Sequence, residues 1–263
     1  MNALLACVRL GMVHRFTYRL EVVVAVVAAL AVVVVNTSLW TAAAEGIGTL
    51  GGLDQTQLGT YTVVAWLVAT AVGGRVEDLV GERYRSGAIA ADLVRPLDLQ
   101  GYVLAREAGR GLATLLLTAV PVFAIMALFF PLSLPSRVGT WAVFLASMAL
   151  GGAVGGQIGF LVGIASFRLH NVSGLAHLKA AAVLLLSGAV IPVDAMPDGI
   201  RSLVLALPFS AIAHVPTTVF LERVTGGALV GILAVQAGWA VALLLACRLA
   251  WRRALLHLTV QGG

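Results

Sequence analysis

Six stretches of this chain, 22–44, 55–74, 111–130, 138–167, 180–193 and 224–247, run without a single Asp, Glu, Lys or Arg. That pattern decides the class of fold. A helix that crosses a bilayer needs roughly 17–25 mostly apolar residues, because no water inside the hydrocarbon can satisfy an open backbone. The 263 residues are 60% hydrophobic and 11% charged, against about 25% charged residues in an average soluble domain. So few charges cannot cover the surface of a water-soluble fold of this size. The same composition excludes a disordered chain, a collagen-like repeat and a disulfide scaffold. The expectation is an all-α polytopic membrane protein with six transmembrane helices. The fifth stretch is short unless it extends back through Leu175–Ala182, where Lys179 would snorkel to the interface. The fourth is long unless it tilts or continues beyond the bilayer.

Residues 1–20 form a pattern of their own. On a helical wheel Asn2, Arg9, Arg15 and Arg19 share one polar arc, while Leu4, Leu5, Val8, Met12 and Phe16 lie mostly elsewhere. This reads as a cytoplasmic, interfacial amphipathic helix that feeds the first span, leaving 21–263 as the transmembrane domain. Thr41-Ala42-Ala43-Ala44 resembles a signal cleavage site, but the apolar run before it exceeds the roughly 7–15 residues of a signal core. The first span is expected to be retained.

Orientation follows from the basic residues. Arg9, Arg15 and Arg19 precede the first stretch, and Arg75, Arg83, Arg85, Arg95, Arg106 and Arg110 follow the second. Arg168 and Lys179 follow the fourth, and Arg248, Arg252 and Arg253 follow the last. The opposite connections hold only Arg137, Arg201 and Arg223. The asymmetry puts both termini in the cytoplasm, with segment 75–110 as a cytoplasmic loop. The net charge of +5 then speaks of anionic lipid rather than nucleic acid.

An ion-coupled carrier usually keeps an ionisable residue at depth. None of the six stretches has one, although a sodium site of backbone carbonyls would escape this test. The five histidines are scattered, Cys7 and Cys247 stand at opposite ends, and no metal-ligand spacing occurs. Gly151, Gly155, Gly159 and Gly163 recur every four residues and form a small-residue face suited to close helix packing. Pro121 should kink the third stretch and free a carbonyl. Gln157 and Gln236 are the polar groups best placed to meet a lumen or a neighbouring helix.

Segment 75–110 gathers Glu77, Asp78, Glu82, Asp92, Asp98 and Glu107, half of all acidic residues, beside its six arginines. Gly87 and Pro96 break it into short helical pieces, and Ile89, Leu93 and Leu97 recur at helical spacing. Mixed charge beside an apolar stripe suits a protein-docking helix, or else a solvated connector. No G-x-x-x-x-G-K-[ST] loop exists, so ATP-driven work would need another chain and no enzymatic activity is expected of this one. Two patches carry a resemblance. One is Arg85-Ser86-Gly87-Ala88-Ile89-Ala90-Ala91-Asp92-Leu93-Val94-Arg95-Pro96-Leu97. The other is Ser187-Gly188-Ala189-Val190-Ile191-Pro192, leading through Met196-Pro197 to Leu207-Pro208-Phe209.

With these patches the chain resembles the membrane permease of a type-2 ATP-binding-cassette (ABC) exporter, in the six-span branch without a fused nucleotide-binding domain. The resemblance implies a coupling loop that docks on a cytoplasmic ATPase, here at Glu82, Arg83, Arg85, Gly87, Ile89, Leu93, Arg95 and Pro96. Ile89 and Leu93 would be apolar anchors, and Arg95-Pro96 would either contact the partner or shape the turn. It implies two ATPase copies that bind ATP and Mg, a second permease half (identical or homologous), and a place in a bacterial cell membrane. Extracellular segment 192–223 would supply gate residues, with Pro192, Pro197, Pro208 and Phe209 as candidates. From the residues alone it is either re-entrant or a surface cap. The implied activity is outward movement of a hydrophobic or amphipathic compound such as an antibiotic, a drug-like metabolite or a lipid. A gradient-driven carrier and a non-transporting assembly or sensor subunit remain the alternatives.

Overall fold

A computed structural model describes residues 2–17, 19–89, 98–165 and 173–256. Eleven α-helices are found there. They are α1 (Asn2–Thr17), α2 (Arg19–Ala44), α3 (Gln55–Val72), α4 (Val76–Arg85), α5 (Leu99–Thr114) and α6 (Val120–Phe129). There follow α7 (Val138–Ala165), α8 (Ser173–Leu186), α9 (Asp198–Ala206), α10 (His214–Phe220) and α11 (Gly226–Leu255).

Four helical segments among the described residues are long and apolar enough to cross a membrane: Leu20–Ala44, Leu99–Phe129, Val138–Ala165 and Gly226–Leu255. The six spans expected from sequence are thus corrected to four. Stretch 55–74 folds into α3, whose apolar character is diluted by Gln55, Thr56, Gln57, Thr60, Tyr61, Thr62 and Thr70. Leu58 to Ala65 are all buried, so α3 is the central strut of the bundle rather than a lipid-facing rod. Its start is set by a capping box, in which Asp54 Oδ1 accepts the Gln57 N–H at 2.8 Å and Gln57 Oε1 accepts that of Asp54. Stretch 180–193 contributes only the end of α8, whose 14 residues reach about 21 Å, short of a hydrocarbon core of about 30 Å. The helix stops at Ser187-Gly188, where Gly188 has φ +87° and its missing Cβ makes room for the Tyr61 hydroxyl. Lys179 does not snorkel; it is buried.

The third stretch belongs to a longer helix that includes Arg106 and Arg110. A π-turn at Leu115–Ala119 joins α5 to α6, and the Val120 N–H reaches back to Leu115 O. The wider turn stands immediately before Pro121, where a backbone donor is missing.

Helix α1 lies along α5 with backbones in close approach. A Cβ on Gly109 would overlap Val8 O, and one on Gly11 would overlap Arg106 O. Cys7 and Gly11 face inward, whereas Leu5, Leu10, Val13 and Phe16 are exposed. The core falls into packed groups, of which one is built around α3 and another lies beyond its end. At one end Val76, Val80, Leu99, Val103, Phe160 and Trp251 pack together. Toward the other end Leu58, Tyr61, Val64, Phe144, Met148 and Phe220 do so.

Candidate functional site

The arginine-rich end of the bundle is built on α4. Its inward face, Val76, Glu77, Val80 and Gly81, is buried, whereas Glu82 and Arg85 are exposed. The helix closes with Ser86 N–H on Glu82 O and Gly87 N–H on Tyr84 O, and Gly87 takes φ +72°. Ser86, Gly87 and Ala88 are exposed; Ser86 and Gly87 form a short bend, and Ala88 is helical again. Arg83 turns inward: its Nη2 donates to the Tyr102 hydroxyl at 2.9 Å, and its guanidinium carbon lies 4.7 Å from that ring's centroid. Ile89 is buried with Val76, Val80 and Phe160. Leu93, Arg95 and Pro96 lie outside the described residues. Asp98 caps α5 through the Gly101 N–H (2.9 Å) and pairs with Arg248 of α11. The ends of α4, α5 and α11 therefore share one face of the molecule.

Beside this face lies a buried ion pair. Lys179 Nζ of α8 donates to both carboxylate oxygens of Glu77 at 2.9 Å and to Gly74 O at 2.7 Å. The two side chains are 7% and 5% exposed, so the charges meet out of solvent. Three acceptors match the three ammonium donors of a lysine, which is what a buried charge needs. The glycine face of α7 makes the room. A Cβ on Gly159 would sit 2.8 Å from Glu77 Oε2, and one on Gly163 would sit 2.7 Å from Val80 Cβ. Further along, Gly151 faces the carbonyls of Ala211 and Ile212, and Gly155 faces Val72 O.

The opposite end is closed by segment 187–223. Tyr61 OH and His214 Nδ1 are 2.9 Å apart, and the His214 N–H donates to Ser187 O. Trp40 Nε1 holds Val190 O at 2.7 Å. Asp194 pairs with Arg201 and Arg223 at 3.0 and 3.2 Å. All seven residues of α10 are buried inside the bundle, while Ile200 and Leu203 of α9 are exposed. Of the gate candidates, Pro192 is buried, Pro197 caps α9 at the surface, and Pro208 and Phe209 are half-buried, Phe209 against Ala211 and Ile212. At the mouth of the 131–137 turn, Glu222 accepts from Ser136 Oγ and Thr140 Oγ1, each at 2.6 Å, and from the Arg137 N–H. The Ser136 and Thr140 hydroxyls hold its carboxyl down at about 2.

Gln236 meets a neighbouring helix. It accepts from Ser147 Oγ and donates to Ser147 O and Ala211 O. Gln157 Oε1 is buried without a partner. Between α3, α5 and α7 lies an apolar cavity of about 520 Å³ lined by Ala71, Leu104, Leu112, Leu115, Met148 and Gly152. A second of about 280 Å³, farther toward Phe220, shares Leu115 and Met148 with it.

Sequence reasoning missed the Glu77–Lys179 pair and the Tyr61–His214 contact. The one usable signal was a solitary lysine, in a chain of arginines, just ahead of an apolar run. Among the described residues no cluster of three or more His, Cys, Asp or Glu side chains is placed to hold a metal.

No curated protein matches the chain. A family model described as "ABC-2 family transporter protein" matches residues 30–262, nearly the whole length. That family consists of non-catalytic membrane permeases. The all-helical bundle, its long apolar spans and this match agree: the chain belongs to the ABC-2 transporter family.

Proposed function

We propose that this chain is the membrane permease subunit of an ABC exporter, driven by a separate cytoplasmic ATPase present in two copies. A second permease half, identical or homologous, would complete the pathway. The observation that carries the reading is the exposed tip of α4, where Glu82, Arg85 and Ser86–Ala88 stand on a helix whose other face is locked into the bundle. An exposed mixed-charge tip on a rigid base suits docking, because the partner orders nothing on binding and charge sets the register. Leu93, Arg95 and Pro96 would continue the same contact. Ile89, buried inside the chain, braces the tip rather than reaching the partner.

The arginine-rich end, with α4, α5 and Arg248, is assigned to the cytoplasm on the asymmetry of basic residues. The exposed apolar residues of α1 would rest on the inner lipid surface. A hydrophobic or amphipathic cargo is favoured by the cavity of about 520 Å³, which has the size and apolar lining of a small-molecule site. Outward export requires the closure at Ser187–Asp194 to open when the ATPases engage the tip.

Affinity purification of the tagged chain from its native membrane in mild detergent, followed by an ATPase assay, tests this. A co-purifying P-loop protein, with hydrolysis lost on mutation of its Walker lysine, is the expected result. A pure, folded chain with no ATPase, even after cross-linking, would contradict it.

A further inference from the structure

Helix α8 has an unusual footing. Of its fourteen residues, Lys179 is the only one buried. The rest of the helix is exposed or half-exposed, with Leu178, Leu184 and Leu185 among the most open. Its one buried side chain is held by both oxygens of Glu77 on α4 and by the carbonyl of Gly74 just ahead of that helix, while half-buried Val183 packs toward Val154 of α7 and Ile212. The second hold is at the C-terminal end. There Ser187 O accepts the His214 N–H at 2.8 Å, and Gly188 lies against the Tyr61 hydroxyl. Asn36 and Trp40 then take the carbonyls of Ala189 and Val190. Polar contacts thus pin the helix at two points, with apolar packing on α7 between them. One is on the helix that bears the docking tip, and the other is in the closure of the opposite end.

We infer that the Glu77–Lys179 pair is a positioning joint, through which a displacement of α4 is carried along α8 to the closure at Ser187–Asp194. The inference rests on the permease reading above. Two apolar side chains would hold α8 to α4 at least as firmly, since a buried ion pair contributes little net stability over a packed hydrophobic one. What the ion pair adds is register. A bidentate carboxylate with one further carbonyl fixes the ammonium in one place, and neither partner can leave without stranding a buried charge. An apolar contact permits sliding instead. The packing around the pair suits a moving part: Gly159 leaves the space into which Glu77 projects, so α4 reaches α8 past α7 without an intervening side chain. A rigid helix held at both ends carries a shift at one end to the other, and would couple the two sites if it has two discrete arrangements.

The test uses the permease with its co-purified ATPase in native membranes. Cys7 and Cys247, both buried, are changed to serine, and Ala189→Cys places a reporter at a buried position of the closure. Maleimide labelling is followed with and without ATP, Mg and vanadate. The unaltered joint should give faster labelling when nucleotide is trapped. Lys179→Gln should abolish that nucleotide-dependent difference while ATPase co-purification and hydrolysis persist. The swap Glu77→Lys with Lys179→Glu, which rebuilds the pair, should restore it. A full nucleotide response in Lys179→Gln would overturn the joint. Loss of response that the swapped pair and Lys179→Arg both fail to restore would also overturn it, because mere loss of folding would then explain the result. Absence of any nucleotide response or ATPase with Lys179 and Glu77 intact would instead overturn the permease reading itself.

Discussion

Gly151→Ala tests the packing of α7 most sharply, because its cost can be worked against an internal control. A Cβ at position 151 would lie 2.8 Å from Ile212 O and 2.9 Å from Ala211 O. Both are backbone atoms of the turn ahead of α10, and Ala211 O is also held by Gln236 at 2.8 Å. The turn cannot retreat without breaking that bond. Overpacking of this kind costs about 1–3 kcal/mol, and a pinned backbone argues for the upper part of that range. Replacing a helical glycine by alanine returns roughly 0.5–1 kcal/mol, so a net loss of about 1–2 kcal/mol is expected. The control is Gly231→Ala in α11, where nothing lies within 4 Å of the added carbon and only the gain of about 0.5–1 kcal/mol applies. Thermal denaturation of the purified variants in one detergent should place Gly151→Ala below, and Gly231→Ala at or above, the parent chain. Equal stability of the two variants would refute the account of α7 as a close-packed face.

Three further outcomes follow from the same geometry. Lys179→Met strands Glu77 and should cost about 3–5 kcal/mol, while the double change Glu77→Leu with Lys179→Met should recover most of it; thermal unfolding in detergent reads both. Tyr61→Phe leaves His214 Nδ1 without its hydroxyl partner and should lower stability by about 1–3 kcal/mol, measured the same way. Glu222 is held at about 2, below its ordinary 4.5, by the Ser136 and Thr140 hydroxyls. A depressed folded value means its contribution is complete above 4.5 and lost as pH falls toward about 2. The stability gap between Glu222→Gln and the parent chain should therefore be constant at neutral pH and close on acidification.

What the sequence makes legible is the class of fold and the character of its faces; what it hides is which face meets which. The long apolar spans, the arginine-rich end and the four-residue glycine repeat are all local signals, because composition and period alone create them. The span count fails where locality fails. The residues from Thr60 to Thr62 carry no charge, so 55–74 reads like a span, yet their hydroxyls mark a helix enclosed by other helices. Thr37 and Thr62 meet at 3.0 Å across α2 and α3, a contact with no trace in either stretch alone. The end of α8 was written in Gly188, whose φ of +87° only glycine takes readily, but an isolated glycine in an apolar run is an ambiguous stop. Ile89 shows the same limit: its spacing with Leu93 reveals a face without telling whether that face looks inward. Lys179 and Glu77 are separated by 102 residues, so the partner that keeps the lysine buried is visible only in three dimensions.

The tip of α4 is proposed to dock a cytoplasmic ATPase. The most direct test is site-specific photo-cross-linking in the native membrane, with a photoreactive residue placed at Ser86 and, as a control, at Ile200 on the opposite end. Both positions are exposed, so a difference between them reports the partner rather than access to the probe. A cross-linked P-loop ATPase is expected from Ser86 and none from Ile200. Absence of any such adduct at Ser86, or equal adducts at both positions, would contradict the docking.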